Sequence, residues 1–319
     1  MTAVTTTPEP QTASAPGPAE ASGGRAVHLV RSELLKIRTT NTWWIFLIGV
    51  FVATALAATV WIAVGNSQIN TAAAGGEEFV PPENASEAEL EITRQQSELS
   101  QDLTRTLHDA SAEIYTSGQF FGLMFALLLG ILLITNEFHH QTATTTFLVT
   151  PRRTQVVLAK LATAMMGAGF FWAFATLLSV AAGAIFLATK GYGTQLTEWP
   201  VLRAILFNAL AYGLWGVLGV GLGVLIRSQI GAVLTGTVAY VVGTFLIQQI
   251  VFALYFLLDW DWVLDVMVLW PGVASQVMIS PEPPYPSSPS WWVGALVLIA
   301  YGVGFGVIGT LITRRRDIS

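Results

Sequence analysis

The residues best suited to chemistry or recognition are gathered in one stretch, Asn136 to Lys160, NEFHHQTATTTFLVTPRRTQVVLAK, a polar and basic interruption between two long apolar runs. It holds Glu137, the pair His139 and His140, a run of threonines and then Thr150-Pro151-Arg152-Arg153. An acid followed by two histidines raises the question of a metal. Adjacent helical residues point about 100° apart and no third ligand is evident, so the simpler reading is a solvated pair at a helix end. Thr150-Pro151 reads as a helix start, with Thr150 as N-cap and Pro151 at the first helical position, where its missing donor costs nothing.

Other chemistry is excluded by what the chain lacks. It has no cysteine, which removes disulfides, thiolate metal sites and cysteine nucleophiles. None of its lysines stands between Gly and Ser or Thr, so the phosphate-cradling loop of a nucleotide hydrolase is missing. Neither the HExxH zinc motif nor the Gly-x-Ser-x-Gly elbow of hydrolases occurs. The chain is not expected to be an enzyme; if it works on ATP, another chain binds the nucleotide.

The elements that must position this stretch are membrane spans. The chain is 53% hydrophobic and only 11% charged, with 29 glycines and 11 tryptophans in 319 residues; a soluble domain carries about 25% charged residues. An all-α membrane protein follows, with six spans at about 43–64, 114–135, 158–189, 201–226, 230–258 and 291–312. Paired tryptophans open the first span where an aromatic belt belongs.

Residues 1–24, rich in Thr, Pro, Ala, Gly and Ser, read as a disordered tail, and 25–319 as one six-span domain. From Arg25 to Thr40, Val27, Val30, Leu34 and Ile37 share one helical face, which suits a short helix in the membrane interface. An ordinary basic flank of the first span fits equally well. Residues 65–113 carry ten acids against Arg94 and Arg105; Ser86 with Glu89 makes a capping box, and Ile92, Leu99, Leu103 and Leu107 recur at helical spacing, so a helix leads into span two.

The apolar run after Pro151 is too long for an upright span, so it tilts or begins as an interfacial helix. Only Arg227-Ser228-Gln229 separates spans four and five, which makes them antiparallel neighbours. Before span six, DWDWVLDVMVLWPGVASQVMI is apolar enough to rest in the outer interface or to dip back as re-entrant helices.

Charge placement orients these spans. With both termini and 136–160 on the cytoplasmic side, that side holds eleven Lys and Arg residues and the other side four, as the positive-inside rule requires. No ionisable residue is expected deep in a span, which argues against a proton- or ion-driven carrier. Buried polarity is then chiefly Asn208, Gln248 and Gln249, which can hydrogen-bond a substrate or a neighbouring helix. Gly219-xxx-Gly223 and Gly302-xxx-Gly306 permit close helix approach, within the chain or across a dimer seam.

With these residues in place, the chain resembles the ABC-2 type permeases, the membrane subunits of ATP-binding-cassette transporters, in their six-span bacterial exporter form. The resemblance covers nearly everything after residue 25. Its most specific part is the elbow after span two: an acid, an aromatic, Gly-Thr, a Leu, Pro, an arginine pair and a Lys entering span three. Glu137, Phe138, Thr142, Leu148, Pro151, Arg152, Arg153 and Lys160 match it, with Gln141 where the glycine is expected.

The resemblance implies a permease in the cell membrane, exporting an apolar or amphipathic compound with energy from a separate ATPase subunit that carries the ATP and Mg. It also implies a second permease copy, contacts with lipid and no nucleic acid. Glu137, Phe138, Thr142, Leu148, Pro151, Arg152 and Arg153 would couple to the ATPase, and Asn208, Gln248 and Gln249 would line a substrate path. The competing reading is a membrane anchor or sensor that docks a cytoplasmic partner through the same elbow.

Overall fold

The computed structural model describes residues 18–76, 101–139, 153–226, 228–258, 262–281 and 288–315, with scattered single residues and pairs between 87 and 98 and residue 260. These form α1 (Pro18–Thr39), α2 (Thr42–Ala73), α3 (Leu103–Tyr115), α4 (Gln119–His139), α5 (Arg153–Thr189), α6 (Trp199–Leu225), α7 (Gln229–Leu258), α8 (Trp262–Met267), α9 (Pro271–Ile279) and α10 (Trp291–Arg315). Six helical stretches are long and apolar enough to cross a membrane: α2, α3 with α4, α5, α6, α7 and α10. The protein is a multi-pass membrane protein.

Apolar character alone makes these segments helical. In lipid every backbone N–H and C=O must be satisfied within the segment, and a helix does that locally. The six spans fall close to their predicted places. The long run after Pro151 is one continuous helix of 37 residues from Arg153, with no separate interfacial piece. α1 begins at Pro18, inside the stretch read as a tail.

Span two differs from expectation. The turn Thr116-Ser117-Gly118 interrupts it, separating α3 from α4. Asp102 caps α3, its carboxylate accepting the Arg105 amide at 3.1 Å. Leu103 and Leu107 of the predicted stripe lie in α3, whereas Ser86, Glu89, Ile92 and Leu99 fall outside the described residues.

α6 is the axis of the bundle, buried along most of its length against α4, α5 and α10. α4 and α6 run parallel: Gly122 lies against Tyr212, Gly130 against Gly216, and Gly223 against Ile131. A Cβ on Gly130 would fall on the Gly216 carbonyl oxygen, and one on Gly219 on that of Leu127, so glycine is what allows these backbones to touch. Gly302 packs on Leu214 and Gly306 on Val217. Both small-residue pairs therefore serve packing inside the chain. Ile230, Leu234, Val242 and Leu257 on α7 and Ile48, Val52 and Leu56 on α2 are exposed and give the bundle an apolar outer surface.

Between α7 and α10 the chain dips back as a helical hairpin, α8 and α9, the re-entrant alternative of the sequence reading. α8 packs on Val251 and Tyr255, and Trp270 at the tip donates its indole N–H to Thr244 Oγ1 at 3.1 Å, halfway along α7. On the return, Ser275 Oγ accepts from Trp215 Nε1 at 2.8 Å and the Ser275 carbonyl accepts from Gln119 at 3.3 Å. α9 survives at this depth because protein surrounds it, whereas Trp262, Val266 and, just past its end, Leu269 leave one side of α8 exposed.

Candidate functional site

At the end of the bundle that carries α1, four charged side chains from three helices form one buried network. Their positions follow from local structure. Ile37 of α1 packs against Leu133, Ile134 and Ala164, which turns the face bearing Glu33 towards the gap between α4 and α5. Glu137 lies in the last turn of α4, and Lys160 sits two turns into α5.

Lys160 is 2% exposed, and its ammonium spends all three N–H donors: on Glu33 Oε2 at 2.8 Å, on Glu137 Oε1 at 2.8 Å and on the Leu133 carbonyl at 3.1 Å. Lys36 closes the ring from its rim, reaching Glu33 Oε1 at 2.7 Å and Glu137 Oε1 at 2.8 Å. Glu33 is 3% exposed and offers one oxygen to each lysine. Two acids and two bases cancel. An isolated ion at this burial would cost several kcal/mol, whereas paired and hydrogen-bonded charges offset that cost.

Burial pulls the Lys36 ammonium down, but its hydrogen bonds to Glu137 and Glu33 and the charge of both carboxylates outweigh it and hold its pKa above the ordinary lysine value of 10.5. Lys36 therefore stays charged across the neutral range. The arrangement ties α1, the end of α4 and the start of α5 together, on both sides of the segment that joins α4 to α5.

Of the residues named from sequence, Glu137 stands inside this network and Lys160 at its centre. Phe138 belongs to α4 and Arg153 opens α5. Thr142, Leu148, Pro151 and Arg152, with His140, Gln141 and Thr150, lie outside the described residues. Among the described residues no group of three or more His, Asp or Glu is placed to hold a metal.

The three polar residues assigned to a substrate path are not brought together. Asn208 is buried on α6; Gln248 on α7 donates to Gln276 of α9 at 2.9 Å; Gln249 is exposed on α7. Buried polarity also extends beyond neutral groups. Besides the network, Arg203 is buried on α6, donates to the Ser280 and Pro281 carbonyls at 2.8 Å each, and lies 5.0 Å over the Trp291 ring.

Sequence reasoning missed Glu33 and Lys36. Both lie further round the helix than the apolar face read from the sequence, which Arg31 and Arg38 edge, but the face that packs inward is centred on Glu33, and Val27 is 67% exposed. The available signal was the opposite-sign pair at i and i+3 in a chain so poor in charge. No protein-family model matches the chain, and no curated protein matches it in sequence.

Proposed function

We propose that the chain is the permease subunit of an ATP-binding-cassette transporter of the ABC-2 type, exporting an apolar or amphipathic compound with ATP hydrolysed on a separate subunit. The observation that carries this reading is the buried network, because it fastens α1, α4 and α5 at the two ends of the segment from 140 to 152. A partner pressing on that segment would move three helices at once, not one loop. The absent phosphate loop supports a partner that supplies the nucleotide chemistry.

In this reading the end with α1 and α10's C-terminal arginines faces the cytoplasm, and the α8–α9 hairpin faces outward. The ATPase docks at 140–152, with Glu137, Phe138, Thr142, Leu148, Pro151, Arg152 and Arg153 at or beside the contact. Nucleotide-driven closure pushes the segment, and the network passes the displacement to spans two and three. Transport needs a second permease copy to complete the path through the membrane.

The test is purification from native membranes followed by reconstitution. A copurifying ATPase with a phosphate-binding loop, whose turnover rises when the chain is present in liposomes, supports the reading. Glu137→Ala combined with Arg152→Ala is expected to abolish that stimulation. Recovery of the chain with no ATPase, or stimulation unchanged in the double variant, overturns it.

A further inference from the structure

The spans hold a second buried polar region, separate from the charged network. Around the turn that breaks span two, five side-chain atoms have no hydrogen-bond partner among the described residues: Thr54 Oγ1, Ser117 Oγ, Trp172 Nε1, Thr176 Oγ1 and Asn208 Oδ1. Thr54 is 1% exposed, Asn208 2% and Ser117 7%. Unpartnered buried donors and acceptors each cost about 1–3 kcal/mol, so five at one level of the bundle call for a ligand.

They share one layer. Gly118 is packed against the Thr54 hydroxyl and the Ala175 methyl, and its carbonyl accepts from Tyr212 at 3.1 Å. Thr176 follows Ala175, and Asn208 lies one turn before Tyr212. The antiparallel crossing that sets Ala168 against Gly216 brings Trp172 and Thr176 to the level of Tyr212 and Asn208. Thr54 is about 18 Å along α2 from Thr42 at about 1.5 Å per residue, which puts the layer near mid-membrane.

A second group of such atoms lies beyond the layer. Above it, where Gly65 of α2 meets Ala110 and Ile114 of α3, Asn66 Oδ1, Ser111 Oγ and Glu113 Oε2 are likewise buried without partners. Polar atoms lacking partners thus continue from the middle of the bundle along the α2–α3 contact towards the end opposite α1.

We infer that this layer is an internal hydration site, at which water molecules admitted along the α2–α3 contact bind Thr54, Ser117, Trp172, Thr176 and Asn208. The ligand is neutral, because none of these five side chains is charged. It must both donate and accept, because the indole N–H offers a proton while the Asn208 carbonyl oxygen takes one, and a bare cation meets only half of that set. Water with two to four polar partners satisfies both. The site lies at the turn 116–118 that joins α3 to α4.

Radiolytic hydroxyl-radical labelling of the full chain in nanodiscs, read by mass spectrometry, tests this with water itself as the probe. Trp172 is expected to be oxidised several-fold more than Trp215, whose indole N–H is already bonded to Ser275. Thr54→Val with Thr176→Val should lower that labelling and also lower Tm, while Thr54→Ser keeps both near wild type. Labelling of Trp172 no higher than that of Trp215 overturns the site. So does a rise in Tm for the valine pair, the result expected of dry hydroxyls relieved by apolar isosteres.

Discussion

The two ends of this bundle are each fastened by a buried basic residue, and they use it in opposite ways. At the α1 end, Lys160 binds two carboxylates that belong to other helices. At the hairpin end, Arg203 binds two successive backbone carbonyls and rests on Trp291. A carbonyl cannot titrate or be substituted away, so Arg203 makes a fixed anchor. Two of the three Lys160 contacts are side chain to side chain, so that end can be loosened by a change at any of four positions. The fold is fixed where the hairpin seats and adjustable where α4 and α5 meet.

Lys160→Met is the largest test of that contrast. It leaves Glu33 and Glu137 buried with only the rim lysine, and removing one member of a buried pair costs about 3–5 kcal/mol. A large fall in Tm in detergent is expected, with amide exchange rising in α1. Reversing all four charges, Glu33→Lys, Lys36→Glu, Glu137→Lys and Lys160→Glu, should recover part of the loss if the interaction is between side chains; no recovery would mean that the Leu133 carbonyl bond decides the geometry.

Arg203→Met comes next. Two charged hydrogen bonds and a cation–π contact are lost, but the carbonyls at the hairpin end lie near water, so about 2–3 kcal/mol is expected. Exchange should rise in α8 and α9 and not in α1. Faster exchange at both ends would show that the two fastenings are coupled.

Lys36→Met should cost less than about 1 kcal/mol, because its side chain is half-exposed and solvent screens its ion pairs. Raising salt from low to physiological ionic strength should narrow the gap between Lys36→Met and wild type and leave Lys160→Met unchanged. The smallest effect is that of pH. The folded pKa of Lys36 is raised, so its contribution is complete below about 10.5 and disappears only as pH climbs through the higher folded value. A Tm that is flat from pH 6 to 9 in wild type and in Lys36→Met alike is expected from this residue; a slope confined to wild type would contradict it.

Much of the fold was legible because lipid imposes a simple rule: long apolar runs must be helices, and Trp43, Pro200 and Trp291 mark where they begin. Glu137 was legible through the pattern of the elbow. Its partners were not, since Glu33 and Lys36 meet it and Lys160 across about a hundred or more residues of chain, and no local periodicity reports such a meeting. The break at Thr116-Ser117-Gly118 was hidden for a different reason. No proline marks it, and what Gly118 meets there is tertiary: Thr54 and Ala175 crowd a position that only a glycine can fill.

The unbroken length of α5 has a consequence of its own. A helix is stiff along its axis, and from Lys160 to Thr176 it runs for about 24 Å at about 1.5 Å per residue. It is a connecting rod with the ionic clamp at one bearing and the hydroxyl-lined layer at the other. Because the helix is continuous between them, an axial displacement of Lys160 would be carried to Thr176 by the backbone itself, without any chain of side-chain rearrangements between the two.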